Sequence, residues 1–91
     1  MVEMGYYVYI LLCRDGSYYT GYTRDLNNRL GQHLHGKGAR YTRWKKAERL
    51  VYTEQFEVRV DAMRREKEIK RLTHEEKSEL ANEGNTERES G

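Results

Sequence analysis

Ninety-one residues with no proline, one cysteine and a formal net charge of +2 leave room for one domain and none for a second folding unit. The longest stretch without a charge, residues 4–13, falls far short of the roughly 20 apolar residues that cross a bilayer. No basic segment with a cleavable apolar stretch precedes it, so no membrane contact and a cytoplasmic location are expected.

A charged fraction of 35% with eight tyrosines and eight glycines fits a small α/β domain and not a disordered chain. The charge is unevenly spread. From Arg24 to Arg49 eight basic residues stand against two acidic ones, whereas residues 54–91 carry eight basic and eleven acidic side chains. A mid-chain block of one sign attracts polyanions, of which nucleic acid is the commonest in a cytoplasm; a solvated basic face without a partner is the alternative. The single Cys13 can form no internal disulfide, which fits a reducing compartment, and its place at the end of a strand suits a small core residue.

Tyr6 to Cys13, rich in β-branched and aromatic side chains and apolar on both faces, reads as a strand covered on two sides and therefore central in its sheet. Arg14-Asp15-Gly16-Ser17 is a turn signal and residues 17–21 read as a second short strand, which makes a hairpin. Its register decides which side chains meet. With a two-residue Asp15-Gly16 loop, Tyr19 sits opposite Leu12, and Tyr9 and Tyr19 lie on opposite faces. With a three-residue Arg14-Asp15-Gly16 loop and Gly16 in the left-handed conformation of a bulge, Tyr19 pairs with Leu11 and shares the face of Tyr9. The three-residue loop is the expectation, because only it brings the two tyrosines together.

Thr23 or Asp25 can cap a helix running from Asp25 to about His35 and stopping before Gly36. Leu26, Leu30 and Leu34 form its apolar stripe, and Arg29 and His33, four apart, line the edge of that stripe. An ordinary surface arginine and a hydrogen-bonded histidine are the plainer readings of these two. Lys37, Arg40, Arg43, Trp44, Lys45 and Lys46 then form a basic stretch carrying an aromatic, able to neutralise phosphates and stack on bases, with packing as the alternative role for Trp44. Leu50 to Phe56 is a third strand and completes an antiparallel sheet.

Val58 to Leu72 carries the second helical pattern, with Ala62, Met63 and Ile69 on one side and Glu66 in the middle of that cluster. Burying a carboxylate costs several kcal/mol unless it is paired, so Glu66 calls for a partner: a nearby arginine, or a hard divalent cation such as Mg²⁺, which takes one carboxylate plus waters and substrate phosphate. Thr73 to Glu76 has the shape of a capping box opening a short helix, about His74 to Asn82, whose Leu80 and Ala81 cover the sheet. The polar tail from residue 83 is expected to be disordered, leaving 1–82 as the domain. The fold class is α/β of the α+β type, a three-stranded antiparallel sheet flanked by helices.

Paired-cysteine zinc spacing, the standard phosphate-binding glycine loops and a nucleophile elbow do not occur. What remains is Tyr9, Tyr19, Arg29, His33 and Glu66. Their order and spacing over about residues 5–80 resemble the GIY-YIG nuclease domain, with Tyr7-Val8-Tyr9 as the first triplet, Tyr19-Thr20-Gly21 as the second, Arg29 as the helix arginine and Glu66, within Ala62-Met63-Arg64-Arg65-Glu66, as the later glutamate. His33 is similar to a histidine found in some branches of that family. In length the chain looks like its small stand-alone bacterial members. Tyr7 replaces a glycine and Thr20 an isoleucine, changes of packing more than of chemistry. Tyr22 stands where the excision-repair nucleases have a lysine, so one expected phosphate-facing group is missing or replaced by a hydroxyl. Asn82 is only a candidate for the late asparagine that some members use.

The resemblance implies a metal-dependent endonuclease hydrolysing DNA phosphodiester bonds. Glu66 would hold Mg²⁺ or Mn²⁺, Arg29 would bind the phosphate, and Tyr9 or Tyr19 would position or deprotonate the attacking water, unless His33 takes the proton instead. A tyrosine with a pKa of about 10 serves as base only where a cation or arginine stabilises its phenolate. DNA, branched or damaged, is the implied partner, and without a separate targeting domain the chain would cleave weakly, recognise DNA shape or depend on a targeting protein. Two other classes stay open. One is a nucleic-acid-binding module with the same fold and little or no catalysis; the other is a protein-interaction domain, which leaves Glu66 unaccounted for.

Overall fold

The first strand, β1 (Tyr6–Cys13), runs through the middle of the sheet, with β2 (Tyr18–Thr23) on one side and β3 (Ala47–Phe56) on the other, both antiparallel to it. The computed structural model describes residues 5–34 and 46–90, with side chains described as far as residue 83. As its two-faced apolar pattern requires, β1 is closed to solvent on both sides: Val8, Ile10 and Leu11 are 0% exposed and Tyr9 2%. Each such aliphatic side chain contributes roughly 1.5–3 kcal/mol by leaving water.

Val8 and Ile10 meet Val51, Ala62, Ile69 and Ala81 in the main core, so the helices α2 (Arg59–Lys70) and α3 (His74–Ser90) cover that face. Tyr9 points the other way, toward α1 (Leu26–Leu34), whose His33 it meets. Cys13 is buried, as its strand-end position implied. Glu54, on the α2 side of β3, takes Arg65 Nε at 3.0 Å and the Tyr52 hydroxyl, and Arg65 also reaches Glu68 at 3.1 Å. Arg65 thus pins α2 to β3 instead of standing in open solvent.

The turn is the three-residue one. Cys13 N–H donates to the Ser17 carbonyl at 2.9 Å, Gly16 N–H donates to the Cys13 carbonyl at 2.9 Å, and Gly16 has φ 88°, a left-handed angle that costs glycine little. Asp15 Oδ1 accepts from the Ser17 amide at 3.0 Å and from its hydroxyl at 2.6 Å, an Asx-type closure. Leu11 therefore pairs with Tyr19 and Tyr9 with Gly21, and Tyr9 and Tyr19 share a face. On the far side of the turn, His74 Nε2 donates to the Gly16 carbonyl at 2.7 Å and the Tyr18 hydroxyl bonds Ser78 Oγ at 2.8 Å, which anchors the hairpin tip to α3.

Asp25 caps α1, its Oδ1 accepting from Asn28 N–H at 3.1 Å, while Thr23 Oγ1 accepts from Asp25 N–H at 3.1 Å. The buried stripe of α1 differs from the one the leucine spacing suggested. His33 is 1% exposed and Leu34 46%. Steps of four residues advance about 40° beyond a full turn, so the path through residues 26, 30 and 33 stays closer to one line than 26, 30 and 34. Strand β3 begins at Ala47, three residues before the expected Leu50, because Leu12 and Cys13 pair with Arg49 and Ala47 beyond a register shift. The Thr73 capping box forms as expected, Glu76 N–H donating to Thr73 Oγ1 at 3.1 Å and Thr73 N–H to Glu76 Oε1 at 2.8 Å. The helix it opens runs to Ser90, past the expected end at Asn82 and through the segment expected to be disordered. The glutamates and arginine there are good helix formers, and one interior glycine costs only about 1 kcal/mol. Among the described residues no helix is long and apolar enough to cross a membrane.

Candidate active site

Three rings from three elements meet on the α1 side of the sheet. Tyr9 comes from β1, Tyr19 from β2 and His33 from α1, with ring centroids 6.3 Å apart for Tyr9 and Tyr19, 5.7 Å for Tyr9 and His33, and 5.1 Å for Tyr19 and His33. The Tyr9 hydroxyl and His33 Nε2 are 2.9 Å apart in a buried hydrogen bond; with Nε2 unprotonated, the hydroxyl donates and the ring accepts. Gly21 makes room for this arrangement, since a Cβ there would stand 2.6 Å from the Tyr9 hydroxyl oxygen and 2.8 Å from its ring carbon Cζ.

Two charges act on the rings. Arg29, one turn before His33 on α1, is exposed, and its guanidinium acts electrostatically on Tyr9, Tyr19 and His33. Glu66 of α2 acts on both tyrosines with the opposite sign. Its side chain is 17% exposed and its ion pair is a loose one, 3.6 Å to the exposed Lys70 one turn on.

Of the five residues singled out by their spacing, Tyr9, Tyr19 and His33 meet ring to ring, while the charge of Arg29 acts on all three and that of Glu66 on the two tyrosines. Burial raises the Tyr9 pKa well above its ordinary value, helped by Tyr19, against the lowering effect of Arg29. Tyr19 is raised as well, by burial and then by Glu66. His33 is lowered, first by burial and then by the positive Arg29. At neutral pH the site accordingly holds two protonated phenols and a neutral imidazole.

The chain matches the GIY-YIG catalytic domain over residues 5–79. It belongs to the GIY-YIG family. Members of that family are typically nucleases. A UPF0213 protein of Staphylococcus saprophyticus is 43% identical over 79 residues, covering 87% of this chain and 96% of the relative. The solution NMR structure of UPF0213 protein BH0048 from Bacillus halodurans is 49% identical, covers 87% of this chain and 84% of that one, and superposes with a TM-score of 0.56. That of protein EF2693 from E. faecalis is 42% identical, with coverages of 85% and 82% and a TM-score of 0.59. The names of the UPF0213 proteins state no activity.

Within the GIY-YIG frame the second triplet acquires a physical reading, for Gly21 pairs with Tyr9 and a side chain there would collide with the Tyr9 ring. Its middle residue, Thr20, is 3% exposed, and its hydroxyl has no hydrogen-bond partner among the described residues. Tyr22 accepts a hydrogen bond from Arg59 Nε at 3.3 Å, which brings a cation from the start of α2 beside that hydroxyl. Arg59 does not stand out in the residue order, and Arg24 figures there only as the first charge of the basic block. Both line an open groove of about 510 Å³ with Tyr6, Tyr22, Thr23 and Arg29. Of the basic stretch expected to bind nucleic acid, Lys46 is exposed, with φ 66° and its carbonyl accepting from Arg14 N–H at 3.0 Å; Lys37, Arg40, Arg43, Trp44 and Lys45 lie outside the described residues. The Asn82 side chain is exposed on α3.

Proposed function

We propose that this chain is a metal-dependent endonuclease that hydrolyses DNA phosphodiester bonds. The observation carrying this reading is the buried hydrogen bond between the Tyr9 hydroxyl and a neutral His33, with the opposite charges of Arg29 and Glu66 both acting on Tyr9. A phenol whose pKa lies above its usual range holds almost no phenolate at neutral pH, so Tyr9 alone is a poor base. Joined to His33 it becomes a relay: the attacking water gives a proton to the Tyr9 oxygen as the Tyr9 proton passes to His33 Nε2. The hydroxide bonds to phosphorus, the P–O3′ bond breaks, and the leaving 3′ oxygen takes a proton from solvent. The guanidinium of Arg29 is geometrically suited to two phosphate oxygens. Tyr19, beside both rings, orients the water.

Glu66 would hold Mg²⁺ or Mn²⁺. Among the described residues no group of three ligating side chains exists, which suits a hydrated ion that takes one carboxylate and completes its shell from water and substrate; the loose Lys70 pairing leaves the carboxylate available. When bound, such an ion supplies charge neutralisation at the phosphate and at the leaving oxygen. Tyr22, standing where the excision-repair nucleases have a lysine, favours a second reading, a DNA-binding module without cleavage. Incubation of plasmid and branched DNA with Mg²⁺ or Mn²⁺, comparing the native chain with Glu66→Ala and Arg29→Ala, separates the two. Metal-dependent cutting that disappears in both variants supports the nuclease, and salt-sensitive binding without cutting supports the module. Addition of a targeting protein or of damaged DNA extends the same assay to the partner.

A further inference from the structure

Arg29 faces two ways. On one side its charge acts on Tyr9, Tyr19 and His33; on the other it borders the open groove of about 510 Å³ that Arg24 and Arg59 also line. Three guanidinium groups on one concave surface repel one another, and proteins ordinarily relieve this with carboxylates. Here none of the three is ion-paired to an Asp or Glu among the described residues. Two of them are held in place by neutral aromatics instead. The Arg24 guanidinium carbon lies 5.2 Å from the Tyr6 ring centroid, a cation–π distance, and Arg59 Nε donates to the Tyr22 hydroxyl at 3.3 Å. Both arrangements orient a cation without neutralising it, and both leave guanidinium N–H groups free to bind an anion.

We propose that this groove is a second phosphate site, in which Arg24 and Arg59 grip the DNA backbone next to the phosphate held by Arg29. The proposal rests on the nuclease reading for the identity of the strand, and it names the side from which that strand enters. Because the groove and the ring cluster share Arg29, a strand lying in one is led into the other. Tyr6 and Tyr22 are positioning residues for the two cations.

The test is binding without metal, so that it does not depend on cleavage. A 12-base-pair DNA duplex is titrated in EDTA against the native chain, Arg24→Gln, Arg59→Gln and the double variant, with the Nε–Hε NMR signals of Arg24 and Arg59 followed in the native chain and folding of each variant verified by its amide spectrum. Removing one arginine–phosphate interaction should flatten the slope of log affinity against log salt by about 0.9, and removing both by about 1.8. The two arginine signals should shift on adding duplex. Unchanged slopes with unmoved signals would overturn the groove while leaving the nuclease reading intact, since cutting is assayed separately; absence of any duplex binding at low salt would overturn it as well. Inorganic phosphate at matched phosphate concentration moving the signals as strongly as duplex would make this an isolated anion site, and a glutamate-rich peptide moving them where duplex does not would make it a protein-docking surface. Either result rejects the proposal.

Discussion

The Tyr9 hydroxyl and His33 Nε2, 2.9 Å apart, tie the middle of the central strand to the last turn of α1. Removing one partner leaves the other with a buried polar group short of a hydrogen bond, at a cost of about 1–3 kcal/mol. Tyr9→Phe and His33→Leu should each lower the unfolding free energy measured by urea titration by that much, and the double variant should be less destabilised than their sum by about 1 kcal/mol. Strict additivity would mean that the bond contributes nothing to stability. In the cleavage assay Tyr9→Phe should reduce the rate by at least about 10²-fold, the usual scale of acid–base assistance.

The same pair makes stability depend on pH in two directions. Folded His33 titrates below its ordinary value of 6.5, so the unfolded chain takes up a proton that the folded one resists. This contribution is present in full above about pH 6.5 and disappears as pH falls through the folded value. Tyr9 has the opposite sense: its pKa is raised from 10.0, so its contribution is present below about pH 10 and disappears as pH rises through the folded value. Urea titrations across pH 5–7 should show a slope that His33→Gln flattens. An imidazole NMR titration placing His33 at or above 6.5 would contradict this account, and Arg29→Ala should move it upward. Cleavage should lose its acid limb where His33 becomes charged.

Gly21→Ala puts a methyl group where the Tyr9 ring already sits, 2.6 Å from its hydroxyl oxygen. Overpacking of this kind costs about 1–3 kcal/mol, and here the displaced atom belongs to the proposed relay. We expect a lowered melting temperature with cleavage reduced beyond what unfolding explains. A folded Gly21→Ala protein with native activity would show that the Tyr9 hydroxyl position is unimportant.

Thr20→Val is expected to act the other way. The two side chains are nearly the same size, and the buried Thr20 hydroxyl lacks a partner among the described residues. Replacing it should raise stability by about 1 kcal/mol with activity unchanged, measured as a higher urea midpoint. Destabilisation would reveal a bond to the hydroxyl.

Much of this site is legible in the residue order because it depends on local rules. Strand alternation and the glycine at the third loop position set the register that puts Tyr9 with Tyr19, and helical spacing places Arg29 one turn from His33. Glu66 could be singled out because a carboxylate among Ala62, Met63 and Ile69 breaks a pattern. What escaped depends on how distant segments pack. Arg59 reads as one of many charges until the start of α2 is set beside Tyr22, and Arg24 reads only as the first charge of the basic block until the Tyr6 ring lies beneath it. The depth at which His33 is buried follows from its bond to Tyr9, 24 positions away, and the extent of α3 from residues with no apolar pattern to read.

The hairpin turn connects this geometry to what can change over generations. Loop length is ordinarily the most freely edited property of a surface turn, while the identity of core residues is the most guarded. At Arg14-Asp15-Gly16 that order is inverted. Arg14 is exposed and can drift in identity with little consequence, and Asp15 can give way to another residue that closes the turn, but deleting one codon would leave both strands with their full sequence and carry Tyr19 to the far side of the sheet. A lineage can rewrite this loop, and it cannot shorten it without separating the two tyrosines.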